Sequence, residues 1–260
     1  MVDYKTTTPE GNNVWLMQGD CLERMKEIPD GSVDLVLTDP PYGIVACKWD
    51  SIIPLEPMWE QLKRVTKPKS TIILFGSQPF TSLLINSNLR DYKYNWVWYK
   101  NLPTNYPNAK RRPLTKHEDI CVYQRGGKQF YNPQKTTGHK PTNSAKGCSQ
   151  GSIYNGENIR DYKGGDTTRY PTTVIDFIKC ERGLHPTQKP VALMEYMIKT
   201  YTNEGETVLD FTTGSGATIK AANNLNRNSI GIEMGHCEKK GLKYEGWEWT
   251  DVIADQLNIK

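Results

Sequence analysis

Asp39-Pro40-Pro41-Tyr42 brings a carboxylate, two rigid imino residues and an aromatic ring together within four positions. Neither proline has an N–H and both fix φ, so the chain must leave the preceding segment stiff and extended. A flat, amine-bearing ring suits such a corner. A carboxylate and a carbonyl accept its two N–H bonds, and Tyr42 lies on its face. Alone, the tetrapeptide is as readily a strand-ending turn with Tyr42 packed in the core. A second cluster has Asp210 followed by Thr212-Thr213-Gly214-Ser215-Gly216, and an acid, Glu233, lies 23 residues beyond Asp210. A third is the hexapeptide His185-Pro186-Thr187-Gln188-Lys189-Pro190.

The segments between these clusters must position them. Residues 14–17 predict a strand, 21–28 a short helix capped by Asp20, and 33–38 a buried strand closed by the tetrapeptide. Together they read as a βαβ unit, with Asp20 and Asp39 expected at the ends of neighbouring parallel strands. Residues 57–66 predict a helix stopped by Pro68, and 71–75 a third buried strand. After Gly76-Ser77-Gln78-Pro79 a further helix is expected, with Phe80, Leu83 and Leu84 inward. Residues 94–99 should pair with 120–123, leaving 100–116, with Lys110, Arg111, Arg112 and Lys116, as a basic surface loop near the Asp39 edge. Pro190 suits a first helical position, and Leu193, Met194, Met197, Ile198 and Tyr201 form one apolar stripe behind it.

Residues 207–211 then predict a buried strand, 212–216 a Gly-rich turn, 217–225 a helix, and 229–233 a strand ending in Glu233. Strand, turn, helix, strand and terminal acid make a nucleoside-binding βαβ unit, in which the glycines admit backbone close to the ligand and Glu233 holds both ribose hydroxyls. A dinucleotide site would want Gly-x-Gly-x-x-Gly directly after the strand, and a phosphate loop would want a Lys after Gly216; neither is present. A carboxylate where a pyrophosphate would sit argues instead for a cationic, amine-bearing ligand. S-adenosylmethionine is one, with a sulfonium, an ammonium and a ribose but no phosphate.

The 260 residues suit one large domain or one with an inserted lobe, and an apolar fraction of 37% with 24% charged suits a soluble fold. Apolar runs are strand length, so no membrane span is expected, and no signal peptide is legible at the start. The six cysteines include no Cys-x-x-Cys pair, which predicts reduced thiols and a cytoplasmic protein. His139, Cys148, Cys180 and His185 match no compact metal-site spacing, so no metal is expected. Charge is uneven: residues 100–182 carry 15 Lys/Arg against 7 Asp/Glu, whereas each flank is slightly acidic. From 126 to about 183 periodicity vanishes, and Tyr131, Tyr154, Tyr162 and Tyr170 alternate with cations. Aromatics among cations suit phosphate contact plus base stacking, against the plainer reading of a solvated Lys-rich surface.

The tetrapeptide, the hexapeptide, the Gly-Ser-Gly turn behind Asp210 and the Gly-Ile-Glu strand, in this order, resemble the N6-adenine/N4-cytosine DNA methyltransferases, in the β-group arrangement. The resemblance covers about residues 14–125 and 183–245. It implies an α/β fold with a Rossmann-like, mostly parallel sheet of the S-adenosylmethionine-dependent methyltransferase type, permuted, with a small irregular lobe inserted. Residues 1–128 and 183–260 would form the catalytic and cofactor-binding domain, and 129–182 the target-recognition lobe. Asp39, Pro40 and Tyr42 resemble the catalytic corner. Asp20, Cys21, Asp39, Thr187, Gln188, Lys189, Asp210, Thr212, Gly214, Ser215, Gly216 and Glu233 fall at cofactor-lining positions, with Asp20 and Cys21 at the adenine, Asp210 to Gly216 at the methionine and 187–189 closing over its amino-acid end. Lys48, Lys110, Arg111, Arg112 and Lys116 are the expected DNA contacts.

The implied activity is methylation of the exocyclic N6 of an adenine flipped out of double-stranded DNA. The alternatives are N4-cytosine methylation on the same scaffold, or a DNA-binding homologue without turnover. Modification beside a nuclease, as in restriction-modification, and a solitary enzyme are equally open. Family members often dimerise, but no interface is legible. One departure stands out: Phe211 and Thr212 replace the family's Pro and Phe, so the ring beside the cofactor is missing or moved and weaker affinity is expected.

Overall fold

The computed structural model describes residues 3–44, 50–127, 129–142, 164–177, 188–235 and 244–259. Lys48, Thr187, His185, Cys148 and Cys180 lie outside these residues. The chain divides into two compact units, one of residues 1–132 with 173–260 and one of residues 133–172.

In the larger unit the strands are β1 (Tyr4–Thr7), β2 (Asn13–Gln18), β3 (Val33–Thr38), β4 (Thr66–Gly76), β5 (Tyr92–Thr104), β6 (Thr115–Gln124), β7 (Val174–Phe177), β8 (Thr207–Asp210) and β9 (Asn228–Glu233). Its helices are α1 (Cys21–Met25), α2 (Leu55–Val65), α3 (Phe80–Ser87), α4 (Val191–Tyr201), α5 (Ala217–Asn224) and α6 (Trp249–Gln256). The strands form one sheet in the order β1-β2-β9-β8-β3-β4-β6-β5-β7. The five strands from β2 to β4 are mutually parallel, while β6 runs antiparallel to both β4 and β5. Strand β7 falls within residues 129–182, where the lobe was expected, and pairs with β5.

Alternation along the strands feeds two cores. Val36, Ile72, Leu74, Cys121 and Leu209 face α1, α2 and α3. Leu35, Leu37, Ile73, Phe75, Ile120, Val122 and Val208 face α4 and α5. The expected α4 stripe, Leu193, Met194, Met197, Ile198 and Tyr201, is at most 3% exposed throughout. Burying each of its aliphatic members is worth roughly 1.5–3 kcal/mol. Helix α6 covers the far end through Ile253, Ala254 and Leu257, packed on Val14 and Leu16.

Three expectations need correction. Asp20 and Asp39 do not end neighbouring strands, because the β8-α5-β9 unit enters the sheet between β2 and β3. A long-range parallel insertion of this kind leaves no local signal in a strand–helix–strand segment. Leu83 is 47% exposed; α3 turns Phe80 and Leu84 inward instead, the i, i+4 pair of a single face. Residues 100–116 are not wholly a surface loop, since β5 continues to Thr104, β6 begins at Thr115, and Lys100 is buried at 3% exposure.

The smaller unit is held by isolated antiparallel bridges, Thr136 to Arg169 and Thr142 to Asp166. Within it, the Lys135 ammonium sits 4.2 Å from the Tyr170 ring centroid.

Candidate active site

Strand order determines where a site can form. From β3 the chain crosses to β4 on one side, and from β8 it crosses to β9 on the other. The two crossovers diverge at the β3/β8 pair, and an open α/β sheet has its ligand crevice beyond the carboxyl ends of such a pair. Asp39 directly follows β3, and Asp210 closes β8. Pairing continues in register, Asp210 with Gly231 and Gln18 with Glu233, so Asp20, Glu233, Asp210 and Asp39 lie along one edge of the sheet.

The two turns are joined directly. The Thr38 hydroxyl donates to the Asp210 carboxylate. It lies 2.8 Å from the Thr212 hydroxyl, which reaches the Asp39 carbonyl at 3.1 Å. The Thr212 N–H donates to Asp210 at 3.2 Å. Thr212 therefore serves as a strut between the two turns. Phe211, the displaced ring, is 1% exposed and lies in the core cluster that includes Cys21 and Ile232.

Beyond β3, Pro40 is buried and the Asp39 side chain keeps 21% of its surface open. The Tyr42 hydroxyl donates to Asp39, and its ring stacks on Phe80 with centroids 5.4 Å apart and planes 24° from parallel. Asp50, 7% exposed, accepts from the backbone N–H groups of Tyr42 (2.7 Å), Gly43 (3.0 Å) and Ile44 (2.7 Å). Three such bonds to one carboxylate fix the backbone of Tyr42, Gly43 and Ile44, and with it the base of the Tyr42 ring. Nothing in the sequence singled out Asp50 beyond its place in the following loop.

The Lys189 ammonium, expected over the cofactor's amino-acid end, pairs with the Asp39 carboxylate and lies 3.1 Å from Glu118. Glu118 in turn pairs with Lys100 at 3.0 Å. Burial pushes the Asp39 carboxyl upward, with Lys189 pulling the other way. Burial opposes charge on Lys189, but the Asp39 and Glu118 carboxylates together hold it above the ordinary lysine value. Burial and the Asp39 charge lift the Tyr42 phenol well above its usual range. Lys100 and Glu118 escaped the sequence reading, although a signal existed. Each continues an inward-facing alternation, Trp96-Trp98-Lys100 and Glu118-Ile120-Val122.

On the β8 side, Gly214 has φ +49 and a Cβ built there would meet no atom within 4 Å, so its backbone is open to an approaching ligand. Gly216 serves packing: a Cβ there would come within 2.5 Å of Ile253. Ser215 is buried. The Glu233 carboxylate is oriented by the N–H groups of Gly214 (2.7 Å), Met234 (3.0 Å) and Gly235 (2.9 Å). Asp20 caps α1, accepting from Leu22 at 2.9 Å and Glu23 at 3.2 Å, and the Cys21 thiol is pushed up to about 12 by burial. Gln188 is half-buried. Lys110, Arg111 and Arg112 are exposed between β5 and β6, and Lys116 lies 4.7 Å from the Tyr99 ring centroid.

Asp210 provides the sharpest test of ligand type. Its carboxyl is 3% exposed, and burial pushes it up to about 6. Among the described residues no Lys, Arg or His forms an ion pair with it. A buried acid without a cation, beside an open glycine backbone and an oriented Glu233, fits a cationic nucleoside such as S-adenosylmethionine.

Fold and site together define an α/β protein with four acids, Asp20, Glu233, Asp210 and Asp39, along the carboxyl edge of its sheet at the switch point. Residues 33–242 match the N6/N4 methyltransferase family of DNA methylases, and the chain belongs to that family, whose methyl donor is S-adenosylmethionine. It is 27% identical over 239 residues to the type II methyltransferase M.HpaI of Haemophilus parainfluenzae, spanning 84% of this chain and 69% of that protein. To M.BamHI of Bacillus amyloliquefaciens it is 27% identical over 252 residues, 88% of this chain but only 56% of that one. Among solved structures, the M1.HpyAVI–SAM complex superposes with a TM-score of 0.61 at 23% identity, covering 94% of this chain and 99% of that one. The cytosine-N4-specific PvuII DNA methyltransferase superposes at 0.64 with 15% identity, covering 99% and 98%. These two likenesses concern the fold. Among the described residues no helix is long and apolar enough to cross a membrane.

Proposed function

We propose that this chain methylates the exocyclic N6 of an adenine flipped out of double-stranded DNA. The observation that supports the reading is the hydrogen-bonded joint between the Asp39 and Asp210 turns, so that the carboxylate read here as the amine acceptor stands beside a buried acid with no cation paired to it among the described residues. When bound, S-adenosylmethionine supplies an electrophilic methyl on a sulfonium, which departs as a neutral thioether. Asp210 would face its cationic end, Glu233 its ribose, and the open backbone at Gly214 its methionine portion.

An exocyclic amine is a weak nucleophile because its lone pair is delocalised into the ring. Asp39 and the carbonyl of Pro40 accept its two N–H bonds and so favour a pyramidal nitrogen whose lone pair points at the methyl. Tyr42, held by Phe80 and by the Asp50 carboxylate at its backbone, stacks on the base. As the new N–C bond forms the nitrogen becomes positive, and Asp39 is placed to stabilise that charge and take the departing proton. Its upward-pushed pKa suits an acceptor. Alignment in a water-poor crevice supplies most of the rest. A stacked base cannot reach this corner, hence the flip. The exposed Lys110, Arg111 and Arg112 suit phosphate contact.

The test is incubation with methyl-labelled donor and duplex DNA, followed by digestion to nucleosides. Label on N6-methyl-2′-deoxyadenosine is expected. Label on N4-methyl-2′-deoxycytidine would transfer the same mechanism to cytosine, and no label on either would end the reading. Asp39→Ala should lower transfer by at least about a thousandfold while saturable donor binding persists.

A further inference from the structure

Two largely buried residues that touch neither donor nor target in this scheme, Glu118 and Lys100, lie two and three ion pairs from Asp39. Lys100 pairs with Glu118 at 3.0 Å, Glu118 with Lys189 at 3.1 Å, and Lys189 with Asp39. The side chains of Lys100, Glu118 and Lys189 are 4%, 15% and 6% exposed. They come from three parts of the fold: β5, β6 and the segment entering α4. Isolated charges at such burial are costly, and four in alternating order, two acids and two bases, neutralise one another. The Lys189 ammonium is also 5.1 Å from the Phe75 ring centroid, within cation–π range.

We propose that Glu118 and Lys100 are positioning residues for methyl transfer, acting on Asp39 through the Lys189 ammonium that Glu118 shares with it. This rests on the reading of Asp39 as the amine acceptor. If Lys189 belonged to Asp39 alone, it would compete with the target amine for the carboxylate. Sharing it with Glu118 divides its charge between two carboxylates, so that it keeps Asp39 ionised while the Asp39 oxygens, which take Tyr42 and Lys189 singly, keep lone pairs for the target amine. Lys100 balances Glu118, so that Glu118 does not draw Lys189 away completely.

The arrangement makes a prediction of sign. The charged and titratable groups facing Asp39 are Tyr42 from its own turn, Lys189 before α4, Glu118 on β6 with Lys100 behind it on β5, and Asp210 at the end of β8. Removing the negative charge at Glu118 should make Asp39 easier to ionise; removing the positive charge at Lys100 should make it harder. A purely structural role would not produce opposite directions.

The experiment is a carboxyl-carbon NMR titration of the ligand-free protein, with Asp39→Asn identifying the signal, for wild type, Glu118→Gln, Lys100→Gln and Glu118→Asp. The Asp39 midpoint should fall by about one pH unit in Glu118→Gln, rise by about one in Lys100→Gln and stay near wild type in Glu118→Asp. The acid limb of the methyl-transfer rate should move with it, and the plateau rate of Glu118→Gln should drop about tenfold with the donor KM little changed. Midpoints that move the same way in both charge-removing variants, or not at all, overturn the proposal. Should Glu118→Gln not fold, a Lys100→Gln midpoint at the wild-type value overturns it alone. Absence of methyl transfer by wild type would instead sink the functional reading and leave the titration to be judged separately.

Discussion

Asp210→Asn separates stability from function at one buried atom pair. The Asp210 carboxyl is raised from the ordinary aspartate value of 3.8 to about 6 and is 3% exposed. An acid whose folded pKa lies above its unfolded one favours folding at low pH. That contribution is complete below about 3.8 and is lost as pH rises through about 6. A displacement of roughly two pH units corresponds to about 3 kcal/mol, so at pH 8 the ionised Asp210 burdens the ligand-free protein by about that amount. Asparagine keeps an oxygen for the Thr38 hydroxyl and the Thr212 N–H but puts an N–H₂ where the carboxylate also took the Thr218 hydroxyl, which returns about 1–2 kcal/mol of the gain. The net gain of about 1–2 kcal/mol should raise Tm at pH 8 by roughly 2–8 °C for a chain of this size. At about pH 4, where the aspartate is itself protonated, the gain should vanish and leave only the cost of the amide. Donor affinity should move oppositely, falling about 10- to 100-fold with the loss of a charge-assisted contact. Thermal melts from pH 4 to 8 and calorimetric titration with S-adenosylmethionine measure both quantities on the same samples. A variant less stable than wild type at pH 8 that binds the donor normally would refute the assignment of Asp210 as the acid facing the donor's positive charge.

Three further outcomes follow, two from the glycine turn and one from the surface. Gly214→Ala places a Cβ in open space at φ +49, so it should cost only about 1 kcal/mol of stability while weakening donor binding at least tenfold. Gly216→Ala drives a Cβ into Ile253 at φ +81 and should lower Tm by several degrees, partly restored by Ile253→Ala; chemical denaturation of the single and double variants measures this. Replacing Lys110, Arg111 and Arg112 together by alanine should weaken binding to any duplex alike and reduce the slope of log affinity against log salt by about three, read from fluorescence anisotropy at several ionic strengths.

What could be read in the chain beforehand was whatever a local signal encodes. The strand of Val33–Thr38, the α4 stripe and the β8–α5–β9 unit each carry a complete periodic pattern in one stretch, and each formed. So did the Asp20 cap, whose side chain needs only the next three residues. Sheet order did not follow from those patterns, because nothing near β2 or β3 states that β9 and β8, some two hundred residues on, will sit between them. That placement nevertheless makes the crevice, since it sets β3 beside β8 and so the tetrapeptide beside the glycine turn.

The charges at the crevice show the same limit from the other side. A lysine in a polar, proline-punctuated stretch reads as solvated, and Lys100 in isolation reads so. Its alternation with Trp96 and Trp98 places it inward, where an unpartnered ammonium would be prohibitive, and that cost implies an acid at hand. Glu118, alternating with Ile120 and Val122 on the strand paired to β5, satisfies it across the ladder. A charged residue in phase with an apolar strand face is thus a sign that its partner lies on the neighbouring strand or beneath the covering helix. Here that partner chain continues through Lys189 to Asp39, so the phase of two strands adds Lys100 and Glu118 to the motif residues Tyr42 and Lys189 around Asp39.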